Sequence, residues 1–213
     1  RYDRPQPNLA DYERLRPHGV WYPDDPASYS CALVGGRIGT NGWSLLGSRY
    51  GHVRNLVISM EVVLPTGEII RVGDGGRKTR STSSGYRLKE LFFGAQGTLG
   101  IVTEATLELV KRPEAEFSAF WLFRDYESAW RTVGELARSG YATIAGCMLF
   151  DERKTAYLRR DDEAYIGQPD WARSVVATAL YGTGIEVRPT AKELMRLVRA
   201  AGGEYIGDEI AQL

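Results

Sequence analysis

The stretch Val34-Gly35-Gly36-Arg37-Ile38-Gly39-Thr40-Asn41-Gly42 is where this chain is best equipped for chemistry. An apolar residue leading into two glycines predicts a strand that opens into a turn. The main-chain amides of such a turn face outward, with no side chains in the way. They can donate several N–H bonds to an anionic ligand such as a pyrophosphate. Thr40 and Asn41 add short polar side chains able to bond a cofactor's oxygens or ring heteroatoms. Pro23-Asp24-Asp25-Pro26 precedes this stretch, and Arg49-Tyr50-Gly51-His52-Val53-Arg54-Asn55 follows it. On glycine spacing alone, structural β-turns account for the pattern better than a ligand does.

Other residue types offer less. His18 and His52 are the only histidines, and both read as surface or structural groups. Tyr50 and His52 flank a glycine turn, which gives them a structural reason to exist beside any contact with substrate. Cys31 and Cys147 are the only cysteines and lack a CxxC partner, so neither a disulfide framework nor a zinc site is expected. Cys31 is expected to be a buried structural thiol, and the pair fits a reducing, cytoplasmic compartment. Arg71, Arg77, Lys78 and Arg80 can be read as a phosphate or carboxylate site, but a solvated loop explains them as well. Residues 151–163 read as an exposed helix face with i, i+4 ion pairs.

Positioning these residues requires a folded scaffold, and the composition supports one. The 213 residues carry 27 basic and 27 acidic side chains, with 43% hydrophobic content. Zero net charge argues against nucleic acid or an anionic membrane surface as the main partner. No apolar run reaches the roughly 20 residues of a membrane span, and residues 1–7 do not read as a signal peptide. Neither nucleic acid nor a membrane is an expected partner on composition, which leaves a homo-oligomer possible; a small-molecule substrate is implied only by the resemblance of the motifs.

The element pattern divides at Pro113. Before it, residues 9–15 predict a short helix capped by Asn8 and ended before Pro17. Residues 21–26 predict a proline-punctuated turn, and residues 55–64 a buried strand. Pro65-Thr66-Gly67 turns that strand into a second one at 68–72. Residues 73–84 read as an exposed loop, 86–93 as helical, and 101–110 as a strand with one buried face. After Pro113, strands are predicted at 117–123, 143–150 and 174–181. Helices are predicted at 126–139, 151–159 and 189–200, the first with Trp130, Val133, Leu136 and Ala137 on its buried face. The fold class is α+β, the second part ferredoxin-like.

The order of motifs adds a resemblance that spacing alone does not carry. The blocks PDDPASYS (23–30), VGGRIGTNGWSLLGSRYGHVRNLVISMEVVLPTGEIIRVG (34–73) and SSGYRLKELFFGAQGTLGIVTEATLELVKRP (83–113) resemble the second subdomain of the FAD-binding domain in the vanillyl-alcohol oxidase superfamily, the p-cresol methylhydroxylase (PCMH) type. The match is nearest the branch holding glycolate oxidase, D-lactate and D-2-hydroxyglutarate dehydrogenases, and alkyldihydroxyacetonephosphate synthase. It implies residues 1–113 as that second subdomain and 114–213 as part of a substrate, or cap, domain.

The resemblance also implies the cofactor, non-covalent FAD, and its contacts. Asp25, Pro26, Ala27, Ser28, Tyr29, Ser30 and Cys31 line the flavin site, with Gly35 and Gly36 beside them. Thr40, Asn41, Gly42 and Trp43 reach the cofactor next to it. Gln96, Gly97, Thr98, Leu99, Gly100, Ile101 and Val102 meet the adenosine portion, largely through main-chain groups. Gln96 departs from the glutamate common in relatives. Trp43 departs from a small residue, and core filling is its expected role. The implied activity is FAD-linked oxidation of a D-2-hydroxy acid, with the electron acceptor unspecified. An ether-forming transferase and a non-catalytic flavin-fold protein are the alternatives. Because the family's first FAD subdomain and late histidine-rich segment have no counterpart here, the chain is expected to be a segment of a longer polypeptide, with weak FAD retention alone.

Overall fold

A computed structural model describes residues 9–29, 31–73, 83, 85–161 and 169–206, with backbone only for 9–13 and 161. The chain forms two compact units, Arg1–Arg112 and Pro113–Leu213.

The first unit opens with a 3-10 helix, Leu9–His18, which runs through Pro17. The expected α-helix ending before Pro17 is thus replaced by a tighter, longer turn. Pro17 sits in its last turn, and Gly19 N–H closes it on Arg16 O at 3.0 Å. Strand β1 (Val20–Trp21) pairs antiparallel with β5 (Val110–Lys111). Residues 19–21 and 110–112 are therefore stitched together, with Arg112 N–H on Gly19 O at 2.9 Å. Helices α1 (Val34–Thr40), α2 (Gly47–Tyr50) and α3 (Val53–Leu56) lead into β2 (Val57–Val63), so the first residues of the expected strand are helical. The Pro65-Thr66-Gly67 turn joins β2 to β3 (Ile69–Val72) as expected, with Val63 opposite Ile69. A 3-10 helix (Leu88–Phe92) and β4 (Ile101–Leu107) complete a sheet of order β3-β2-β4. Its inner face buries Met60, Val62 and Val72 against Val34, Ile38, Val53, Leu56 and Phe92.

The second unit is β6 (Ala115–Phe123), α4 (Tyr126–Arg138), β7 (Ile144–Phe150), α5 (Glu152–Asp161), β8 (Ser174–Gly182), α6 (Gly184–Ala200) and β9 (Glu204–Ile206). The sheet order is β7-β8-β6-β9, antiparallel at each pairing. This is the ferredoxin-like βαββαβ arrangement, with α5 inserted between the second and third strands. Phe117, Ala119, Trp121 and Phe123 alternate along β6 into the core beneath α4 and α6. Leu122 points the other way, toward Leu158 of α5. Trp121 Nε1–H donates to Thr178 Oγ1 at 3.0 Å, so the largest buried side chain keeps its one donor satisfied.

Two expectations change here. Helix α4 buries Ala129, Thr132 and Leu136, while Trp130 is 59% exposed. The small residues let the helix approach the sheet, and the indole is left outside. Helix α6 begins at Gly184, five residues before Pro189, because Thr183 and Glu186 form a capping box. Among the described residues, helix α5 pairs Glu152 with Arg173 at 3.0 Å and Arg159 with Asp170 at 3.2 Å, which ties it to the following segment; Asp162 and Glu163 of the expected charged face lie outside the described residues.

Candidate functional site

The glycine-rich stretch is a helix and not a strand running into a turn. Val34 and Ile38, one helical turn apart, are both buried, and that burial holds α1 together despite three glycines in seven residues. The helix bond from Arg37 N–H to Leu33 O, at 2.9 Å, follows the amides of Val34, Gly35 and Gly36, and Leu33 supplies no side-chain cap. The outward-facing amides expected at Gly35 and Gly36 are therefore those of a helix's first turn. Space beside Gly36 is open. At the other end Asn41 adopts a left-handed conformation (φ 52°). Its N–H bonds Ile38 O at 3.0 Å, and Gly42 N–H bonds Arg37 O at 2.9 Å, a Schellman cap.

Two neighbouring segments are locked onto this helix. Arg37 Nε donates to Asp24 Oδ2 at 2.8 Å and Nη2 to Asp24 Oδ1 at 2.6 Å, with the aspartate side chain wholly buried. The same Nη2 donates to Trp43 O at 2.7 Å. Gly42 is glycine for a reason of space, since a Cβ there would lie 2.0 Å from Arg37 Nη1. Asp25 N–H donates to Ser44 Oγ at 3.0 Å, and Asp25 O accepts from Leu45 N–H at 2.7 Å. Ser44 N–H in turn donates to His52 Nδ1 at 3.1 Å, which gives His52 the structural role expected of it. On the far side, Gly94 N–H donates to Ile38 O at 3.1 Å, an acceptor it shares with Asn41 N–H, and Gln96 N–H donates to Gly39 O at 2.9 Å, at the end of the helix.

The sequence-derived residues fall around this frame as follows. Asp25 is half-buried and Pro26 buried, with Ala27 and Ser28 exposed on a turn closed by Tyr29 N–H on Pro26 O at 3.0 Å. Ser30 lies outside the described residues, as do Arg77, Lys78, Arg80 and most of the 73–84 loop. Cys31 is exposed, not buried: the turn aims it outward, and its thiol reaches only Ser28 O at 3.5 Å. Trp43 is also not core; its indole is 54% exposed, with His52 at 6.2 Å between ring centroids. Thr40 Oγ1 bonds Gly36 O at 2.8 Å, whereas Asn41 Oδ1 is buried without a hydrogen-bond partner among the described residues. Gln96 N–H and Thr98 N–H are spent inside the protein, on Gly39 O and Ala95 O. Leu99 and Ile101 are 47% and 66% exposed, and Val102 faces the core from β4. Arg71 is held by Glu61 at 2.6 Å and Glu104 at 3.1 Å, so two carboxylates already neutralise it.

The first two segments meet through Asp24, Arg37 and Ser44, and the third joins through the carbonyls of α1. Asp24, Arg37 and Ser44 escaped notice in the sequence because nothing local marks a buried ion pair. Electrostatically, burial and the Asp24 carboxylate beside it push the Asp25 carboxyl above its ordinary range, and Arg37 only partly offsets them. An uncapped helix start, an orphaned buried amide oxygen and open space beside Gly36 suit a ligand that carries both phosphate oxygens and N–H or O–H donors. FAD carries both. Among the described residues, no group of three or more His, Cys, Asp or Glu side chains is placed to hold a metal ion.

Comparison with known proteins agrees. Residues 10–73 match the FAD binding domain family. The glycolate oxidase subunit GlcD of Bacillus subtilis is 37% identical over 174 residues, which is 80% of this chain and 36% of that protein. A D-lactate dehydrogenase of Archaeoglobus fulgidus is 40% identical, covering 89% of this chain and 45% of its own length. Among solved structures, an alkyldihydroxyacetonephosphate synthase superposes with TM-score 0.75 at 19% identity, over 95% of this chain and 38% of that one. p-Cresol methylhydroxylase with substrate bound superposes with TM-score 0.71 at 21% identity, over 93% and 42%. The fold is therefore that of the PCMH-type flavoproteins, and the cofactor of the matched domain is FAD. The curated relatives it matches carry the names of a glycolate oxidase subunit and of D-lactate dehydrogenases. It spans about a third of the length of the curated relatives it matches first. No described helix is long and apolar enough to cross a membrane.

Proposed function

We propose that this chain supplies one half of the FAD site, and part of the substrate domain, of an enzyme that oxidises a D-2-hydroxy acid. The observation that carries this reading is the joining of Asp24, Trp43, Gly94 and Gln96, from three separate segments, to one short helix by the Arg37 side chain and the α1 carbonyls. On this reading the first-turn amides of α1 and the turn around Ala27 and Ser28 hold polar atoms of the cofactor. Asn41 Oδ1 accepts one of its donors, and Trp43 lies along it. The exposed side chains of Leu99 and Ile101 give an apolar surface to its far portion, because the Gln96 and Thr98 amides are already occupied. The cofactor is held by hydrogen bonds and packing, without a covalent link. When bound, FAD supplies the two-electron acceptor that the protein's own residues lack. The protein's part is to orient substrate and cofactor and to keep water away. The second unit contributes a piece of the substrate domain. The two free thiols fit a reducing, cytoplasmic location.

Anaerobic addition of D-lactate, glycolate or D-2-hydroxyglutarate to the purified full-length protein tests the reading. Loss of the visible flavin absorbance with one of them is expected. A flavin spectrum that none of the three alters contradicts the substrate class.

A further inference from the structure

The Asp24–Arg37 pair has features that stability alone does not call for. A buried ion pair loses its hydration, and an apolar pair of the same shape serves the core as well or better. What this pair provides is direction. A planar guanidinium has a fixed fork; here two bonds are spent on Asp24 and a third on the carbonyl of Trp43, at 2.7 Å. Gly42 lets the guanidinium lie flat against the chain. Ser44 is anchored from both sides, accepting from Asp25 N–H and donating to His52 Nδ1. The backbone around Trp43 is thus held on both sides, while the indole it carries stands 54% exposed. A large apolar ring left open on a rigidly clamped backbone is the arrangement of a preorganised contact, since little entropy remains to be lost when something packs on it.

We propose that Arg37, oriented by Asp24, is a positioning residue whose task is to present the Trp43 indole to the flavin as a wall of the cofactor site. This rests on the reading above that residues 40–43 line that site. An indole in contact with a flavin quenches its emission and makes the flavin's visible circular dichroism sensitive to the indole's removal. A buried pair with a purely structural role moves neither signal.

The experiment uses the full-length protein with FAD and three variants: Trp43→Phe, the double variant Asp24→Leu with Arg37→Met, and Arg37→Lys. The double variant removes both charges together and leaves neither unpaired. Arg37→Lys keeps the charge but cannot reach both Asp24 oxygens and Trp43 O at once, so it serves if the double variant does not fold. Far-ultraviolet circular dichroism establishes folding. Trp43→Phe is expected to retain FAD while its flavin fluorescence rises several-fold. The double variant, or Arg37→Lys, is expected to show the same rise with FAD affinity at least tenfold weaker. Unchanged fluorescence and dichroism in Trp43→Phe overturn the inference while leaving FAD binding intact. A changed signal in Trp43→Phe with none in the folded Arg37 variants overturns the positioning role. Wild-type protein that takes up no FAD overturns the underlying reading, and with it this one.

Discussion

Asp25 and Asp24 are neighbours in sequence with opposite circumstances. Asp24 accepts from Nε and Nη2 of Arg37, and Asp25 is left half-buried with its carboxyl pushed above the ordinary 3.8, by burial first and by Asp24 second. The folded chain therefore holds the Asp25 proton more tightly than the unfolded chain. Its contribution to stability is complete below pH 3.8 and is lost as pH rises through the folded value. Asp25→Asn is expected to melt higher than wild type at neutral pH, with the difference vanishing in acid; an unchanged or lower melting temperature at pH 7 contradicts this. The cysteines divide as clearly. Burial pushes the Cys147 thiol up to about 11, whereas Cys31 is exposed. Iodoacetamide at neutral pH is expected to label Cys31 in the native protein and to spare Cys147 until denaturant is added. At this scale the polar types of the site were legible from their order in the chain. Exposure was not: Cys31 and Trp43 both read as core because their residue types usually are, and only the turn geometry turns them outward.

Elements were legible where one signal dominated and were misread where two competed. The hairpin at residues 65–67 and the alternation along β6 followed from local pattern alone. Helix α1 did not, because glycine propensity opposes it and the compensating burial of Val34 and Ile38 appears only in the folded unit. Helix α6 starts five residues ahead of Pro189, where the sequence pattern begins it, because the Thr183–Glu186 capping box fixes its first turn. Glu186 accepts from Thr183 N–H at 3.0 Å and from its hydroxyl at 2.7 Å. Thr183→Ala is expected to cost about 1 kcal/mol in chemical denaturation of the chain. A loss below a few tenths of that shows that packing under Val187 and Ala191 alone sets the helix start. For the clamp, Arg37→Ala is expected to cost about 3–5 kcal/mol, because Asp24 remains buried without a counter-charge. Retention of wild-type stability on denaturant titration contradicts the burial of that pair.

For the molecule as a whole, the chain forms two compact units that part between residues 112 and 113. The ferredoxin-like order of the second unit was legible from its alternation, since each amphipathic helix needs a sheet face to cover. The three-way convergence on α1 was not, because it depends on contacts between residues far apart in the chain. That convergence is also what the functional account needs most. Hydrogen–deuterium exchange on the full-length protein, with and without FAD, tests it most directly. The account predicts that, within these 213 residues, the largest FAD-dependent protection falls on peptides covering residues 25–43 and 96–102. Protection that is absent there, or confined to the second unit, contradicts it.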